Sequence, residues 1–191
     1  MTISYKRRRN PLNLLKTPMR KKNSKDSPVQ CVYEKRRAVV RLAENEDSGV
    51  SGIVVFEQAN SKSNVVITAR VRGLYPRAKH AFHIHTYGDL SEGCKSTGSH
   101  YNPFDSEHGG PGLDKRHVGD LGNLETDSFG VVEMKWEDDM ISLFGDYSVI
   151  GRAITIHLGE DMFGLRELDH SRGNPMQRIA CGVIGIAKAD N

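Results

Sequence analysis

The sequence predicts an all-β fold, a sandwich or barrel of eight antiparallel strands, and three observations carry that prediction. From Ala38 onward short runs rich in Val, Ile and Thr follow one another. Turn residues separate them, as at Asn45–Ser48, Asn60–Ser63 and Ser128–Gly130. No amphipathic stretch of ten or more residues competes as a helix. Many short strands without helices bury their apolar faces against each other, as a sandwich or a closed barrel.

In chain order the expected strands are AVVRLA (38–43), GVSGIVVFEQ (49–58), NVVITARVRG (64–73), AFHIHTYG (81–88), HVGDLGNLE (117–125), VVEMKWED (131–138), VIGRAITIHLG (149–159) and ACGVIGIAKA (180–189). Two long stretches, 89–117 and 159–179, break the rhythm. Loops of that length without structure of their own are uncommon in compact domains and tend to be functional.

The 191-residue chain suits one full-sized domain and a tail. Charge marks the boundary. Residues 1–37 carry twelve Lys and Arg against Asp26 and Glu34, a net of +10, whereas residues 38–191 carry a net of −7. With three prolines and clustered like charges, the 1–37 segment buries too little surface to offset its ordering entropy, so it reads as a disordered basic extension. Its KRRR and RKK clusters suit nuclear import or a salt-sensitive, sequence-independent contact with nucleic acid, and its acid-free start suits organelle targeting. Without aromatic interleaving it gives nucleic acid no more specific hold.

No run approaches the roughly 20 apolar residues of a membrane span, and no signal-peptide core of about 7–15 apolar residues occurs. A non-membrane, intracellular protein is expected. Three cysteines, Cys31, Cys94 and Cys181, are too few for a disulfide scaffold and leave room for one pair and one free thiol.

The stretch AFHIHTYGD places His83 and His85 two residues apart on a predicted strand, hence side by side on one face. Solvated surface histidines would satisfy that pair taken alone. The first long loop adds His100, His108 and His117, followed by Asp120; His157 comes in ITIHLG. Six of the eight histidines fall in this series, with His80 read as a polar strand-end residue and His170 as a loop residue. Three imidazoles and a carboxylate, His100, His108, His117 and Asp120, make a complete tetrahedral zinc set without a position for water. His83, His85 and His157 then form a second, all-nitrogen group of the kind that suits Cu(II). Seven residues serve two metals, and a bridging imidazole would give each metal four ligands; spacing alone does not name the bridge.

The segments AFHIHTYGD, GCKSTGSHYNP, HGGP, RHVGDLGN, IGRAITIH and RIACGVIGIA resemble the copper/zinc superoxide dismutase family, in order, across residues 38–191. The resemblance implies a Greek-key barrel with copper on His83, His85, His100 and His157, and zinc on His100, His108, His117 and Asp120. It makes His100 the bridge, which releases the copper side, takes a proton there and gives it to the forming peroxide. It implies a Cys94–Cys181 disulfide and leaves Cys31 unpaired. Arg178 matches the arginine that guides the superoxide anion. Asp161 matches an aspartate that accepts hydrogen bonds from one histidine of each metal, here His83 and His108. Superoxide is then the substrate, dioxygen and hydrogen peroxide the products.

Gly88, Ile150, Gly151 and Ile186 match the family's two-fold contact, which implies a homodimer. A copper chaperone is a further candidate partner, and the cytoplasm is the implied compartment, with nucleus or organelle as the alternatives that the tail offers. The 159–179 loop departs from the family pattern: it is slightly shorter, with Gly159 in place of a common lysine and Arg172 in place of a common threonine. Of the other readings, a copper-handling relative would need a C-x-x-C or C-x-C pair for Cu(I) transfer, and this sequence has none. A structural relative with little activity would be expected to have lost a ligand or the arginine, and all eight positions are present.

Overall fold

Period-two burial builds the sheet. In β3 (Val65–Arg72), Val65, Ile67, Ala69 and Val71 are buried while the residues between them face outward. The same alternation runs through β1 (Arg36–Glu44), with Ala38, Val40 and Leu42 inside, and β2 (Ser51–Gln58), with Val54 and Phe56 inside. The remaining strands are β4 (Lys79–His85), β5 (Ser91–Cys94), β6 (Asp120–Glu125), β7 (Val132–Asp138), β8 (Ala153–His157), β9 (Arg178–Val183) and β10 (Gly185–Ala187). This computed structural model describes residues 35–165 and 176–188. Of the expected disordered extension 1–37, residues 1–34 lie outside the described residues, as do a free Cys31, a loop His170 and Arg172 at the threonine position; Arg36 and Arg37 correct that boundary, because they open β1 and pair with Gln58 and Glu57.

Eight strands follow the order β6-β4-β8-β9-β1-β2-β3-β7, and every pairing is antiparallel. β7 returns to lie beside β3 while β4 begins on the far side of the barrel, which is the Greek-key connection. The result is a nearly closed eight-stranded barrel around one apolar core, in which each fully buried Phe56, Phe82 or Ile67 contributes ~1.5–3 kcal/mol. Among the described residues no helix is long and apolar enough to cross a membrane.

The sequence undercounts the strands by two. The expected 180–189 strand divides at the buried Ile184, where β9 leaves β8 and β10 takes up pairing with β1. β5 is a four-residue strand inside the first long loop, too short to show a period. Boundaries also move: the strand expected over 149–159 covers only Ala153–His157, because Gly151 turns the chain at φ +86°.

β4 and β8 differ from the alternating strands. All of β8, and all of β4 after Lys79, is buried. Their inner residues, Phe82, Ile84, Ile154 and Ile156, belong to the core. Their outer residues, His83, His85, Thr155 and His157, are buried as well, under the long loops. His80, at the start of β4 and outside the histidine series as expected, is fully buried, and its Nδ1 stands 3.1 Å from the His157 carbonyl oxygen.

Candidate metal centre

Cross-strand partners share a face of a sheet, and the register therefore gathers the site. His83 pairs with Thr155 and His85 with Ala153, while Thr155 pairs onward with Cys181. Two β-bulges complete the set. Between Ala81 and His83 the partner strand β6 runs from Asn123 to Asp120, one residue too many, with Gly122 at φ +85° absorbing the excess. This sets Asp120 opposite His83. Between Ile156 and His157 the partner shifts from Ala180 to Arg178, which sets Arg178 opposite His157. Four adjacent strands, β6, β4, β8 and β9, thus each present functional side chains on one outer face.

The first long loop supplies the rest. His100 forms an isolated bridge with His85, anchored by Thr86 N–H to Ser99 O at 2.9 Å and Tyr101 N–H to Ile84 O at 2.8 Å. Its ring lies 4.0 Å from that of His83 and 5.3 Å from that of His108, between the two groups. The donor atoms of His83, His85, His100 and His157 lie within 4.8 Å of one another, and so do those of His100, His108, His117 and Asp120. His100 belongs to both sets.

Each ring of the first set has one nitrogen committed to an acceptor. His83 Nε2 donates to Asp161 Oδ2 at 2.8 Å, His85 Nδ1 to Gly98 O at 2.8 Å, and His157 Nδ1 to Met176 O at 3.0 Å. These bonds fix the tautomers and turn the opposite lone pairs inward. His83 Nδ1 is buried with no hydrogen-bond partner, and His85 Nε2 and His157 Nε2 lie 3.4 Å apart. A buried nitrogen without a partner costs about 1–3 kcal/mol, unless a cation receives its lone pair. Burial lowers the pKa values to about 4 for His83, about 2 for His85 and about 3 for His157. All three are neutral at pH 7, as metal ligands must be.

The second set closes around Asp120. Its Oδ1 lies 2.8 Å from His100 Nδ1 and 3.1 Å from His117 Nδ1, and its Oδ2 lies 3.0 Å from His108 Nδ1. Burial opposes ionisation of this carboxyl, but bonds from His100, His108 and the Gly109 and His117 N–H groups outweigh it and hold the pKa far below the usual range. Asp120 and Asp161 face opposite nitrogens of His108 and raise its pKa to about 10. A metal held by this set would displace that proton.

Asp161 joins the two sets. Oδ2 accepts from His83 and Oδ1 from His108 Nε2 at 2.9 Å, and these bonds, against burial, keep it ionised. Asn123 holds it by both backbone groups, accepting from Asp161 N–H at 2.8 Å and donating to Asp161 O at 3.0 Å. The Cys94–Cys181 disulfide is present and ties the loop to β9. Beside it Arg178 donates from Nη1 to Cys94 O at 2.7 Å and from Nη2 to Gly98 O at 2.7 Å. It lines a cleft of about 470 Å³ with His85, His100 and His157.

The sequence therefore names every side chain of the two sets, together with Asp161 and the Cys94–Cys181 disulfide, but it misses their other supports. Gly98 and Met176 act through carbonyl oxygens, which have no signature in the side chains. Asn123 is an ordinary strand residue until the register sets it beside Ala81 and below Asp161. Buried Arg116 donates to Asp120 O at 2.6 Å and to Asp138 Oδ2 at 2.7 Å, securing the loop to the end of β7. Its position next to His117 was the only sequence signal, and nothing there picks Asp138 out of 24 acidic residues.

Comparison with known proteins agrees with this geometry. The family model of copper/zinc superoxide dismutase (SODC) matches residues 50–184. A superoxide dismutase [Cu-Zn] of Saccharomyces cerevisiae is 45% identical over 142 residues, 73% of this chain and 92% of the relative. That of Schizosaccharomyces pombe is 49% identical over 143 residues, 74% and 93% respectively. An extracellular superoxide dismutase [Cu-Zn] of Drosophila melanogaster is 41% identical over 165 residues, covering 85% of this chain and 88% of its own. With two four-ligand sets sharing one imidazole on the face of a Greek-key barrel, and with these matches, the chain belongs to the copper/zinc superoxide dismutase family.

Proposed function

We propose that the two ligand sets work as one dinuclear centre that converts superoxide to dioxygen and hydrogen peroxide, with copper on His83, His85, His100 and His157 and zinc on His100, His108, His117 and Asp120. The membership of His100 in both sets carries the reading. Copper held by the first set would supply the alternating one-electron oxidation and reduction of superoxide, and zinc held by the second would supply a fixed, redox-silent charge. His100 Nδ1 is committed to the Asp120 side, so Nε2 is the atom that carries a proton to the departing peroxide. Asp161 keeps the His83 and His108 rings in register with each other.

Arg178 docks the anion. Its bonds to Cys94, Lys95 and Gly98 carbonyls and to Thr97 Oγ1 fix the cation in the cleft wall beside His157. Arg178→Leu should lower kcat/KM about 10-fold, equivalent to ~1.4 kcal/mol, and weaken inhibition by small anions while copper content stays constant. Unchanged kinetics would remove Arg178 from the mechanism. Metal analysis of the purified protein, with superoxide disproportionation assayed before and after chelation, tests the whole reading; activity that survives metal removal would reject it.

The assembly is a homodimer through Gly88, Ile150, Gly151 and Ile186. Gly88 packs so closely on Gly151 that a Cβ there would meet the Gly151 carbonyl, which keeps this surface flat. Nearby Ile186 and Val183 are 72% and 37% exposed, apolar surface suited to an isologous partner. Light scattering should give twice the chain mass at micromolar concentration with both metals bound; a stable monomer would reject the interface. Delivery of copper by a chaperone accords with the burial of three of its four ligands.

Residues 36–191, from the first residue of β1, form the dismutase domain, and the basic segment before them leaves the enzyme in the cytoplasm. A fluorescent reporter fused to residues 1–37 should remain diffuse. Concentration in the nucleus or an organelle would reassign the compartment.

A further inference from the structure

Met176 is held at the cleft by its own main chain. Its carbonyl oxygen accepts the His157 Nδ1–H, so the residue cannot move away without releasing that ring. It lines the cleft together with His85, His100, His157 and Arg178, and it also lines the adjoining cavity over His83 and Asp161. It is 52% exposed. Met176 thus lines the same cleft as three histidines of the first ligand set.

We propose that Met176 is a modification site, oxidised to methionine sulfoxide by the hydrogen peroxide that this enzyme releases. The inference rests on the dismutase reading above, which supplies the oxidant. A sulfur lone pair attacks one peroxide oxygen; the S–O bond forms, the O–O bond breaks, and two electrons pass from sulfur to peroxide. The departing hydroxide takes the proton of the transferred oxygen and leaves as water, so one peroxide and one thioether give one sulfoxide and one water. The modification turns an apolar, flexible side chain into a polar one whose oxygen is a strong acceptor. Two residues from Arg178, that oxygen competes with the incoming anion for the guanidinium, and the rate falls as product accumulates.

Met140 supplies an internal control. It is 39% exposed, follows β7 and lines neither cavity of the centre. Exposure alone would oxidise the two methionines to similar extents; release of peroxide through the cleft favours Met176.

The test uses the metal-loaded full chain, given repeated pulses of superoxide with catalase present to remove peroxide from bulk solution. Dismutation is followed in the same sample, and peptide mass spectrometry reads the added oxygen at each methionine. Met176 should exceed Met140 in sulfoxide by at least about tenfold, with a rate that declines over the pulses and recovers after treatment with methionine sulfoxide reductases. Met176→Leu should slow that decline. Equal oxidation of Met140 and Met176, or loss of Met176 oxidation in the presence of catalase while dismutation proceeds, would overturn the inference. Absence of dismutation itself would instead overturn the reading on which it rests.

Discussion

Replacing His157 with alanine should reduce superoxide dismutation by more than about 100-fold while zinc remains at full occupancy. His157 contributes to the first ligand set only, through Nε2 beside His85 Nε2, and it touches neither Asp120 nor His108 in the second. Loss of a supporting hydrogen bond at a metal site typically costs about 10–100-fold in metal affinity or activity, and loss of a ligand costs more. The substitution also frees the Met176 carbonyl and removes the side chain that lies opposite Arg178 in the register. Metal analysis beside the activity assay checks the result. Equal loss of copper and zinc would show that the two sets do not have separate roles.

Replacing both Cys94 and Cys181 with serine should lower stability by ~4–5 kcal/mol, because the disulfide closes a loop of 87 residues in the unfolded chain. Urea unfolding of the metal-loaded protein at fixed metal concentration measures it. The same variant should also lose activity with both metals in place. Cys94 O, Lys95 O, Thr97 Oγ1 and Gly98 O together hold the Arg178 guanidinium, and Gly98 O also orients His85. Asn45 adds a second tie between the loop and β9, accepting from Cys94 N–H at 3.2 Å and donating to Arg178 O at 2.7 Å. The segment should therefore loosen without detaching. Full retention of anion inhibition in the variant would separate the disulfide from the positioning of Arg178.

The sequence by itself determined the fold class and the metal chemistry, because both rest on local rules. Alternating Val, Ile and Thr runs specify half-buried strands whatever their partners, and imidazole and carboxylate groups have the same ligand preferences in any fold. The family resemblance then placed His100 in both sets, and the structure brings that ring between His83 and His108. Tertiary structure decided what depends on pairing between distant segments. The two bulges determine that Asp120 faces His83 and Arg178 faces His157, and a register shift has no local signature when only Gly122 marks one of them. His80, Arg116 and Asn123 became structural partners of the site only when strands and loops from elsewhere closed over them. The carbonyls of Gly98 and Met176 orient His85 and His157 although no side chain announces them. A side chain carries its chemistry in its own atoms, but its hydrogen-bond partners and its dielectric surroundings exist only in the folded chain.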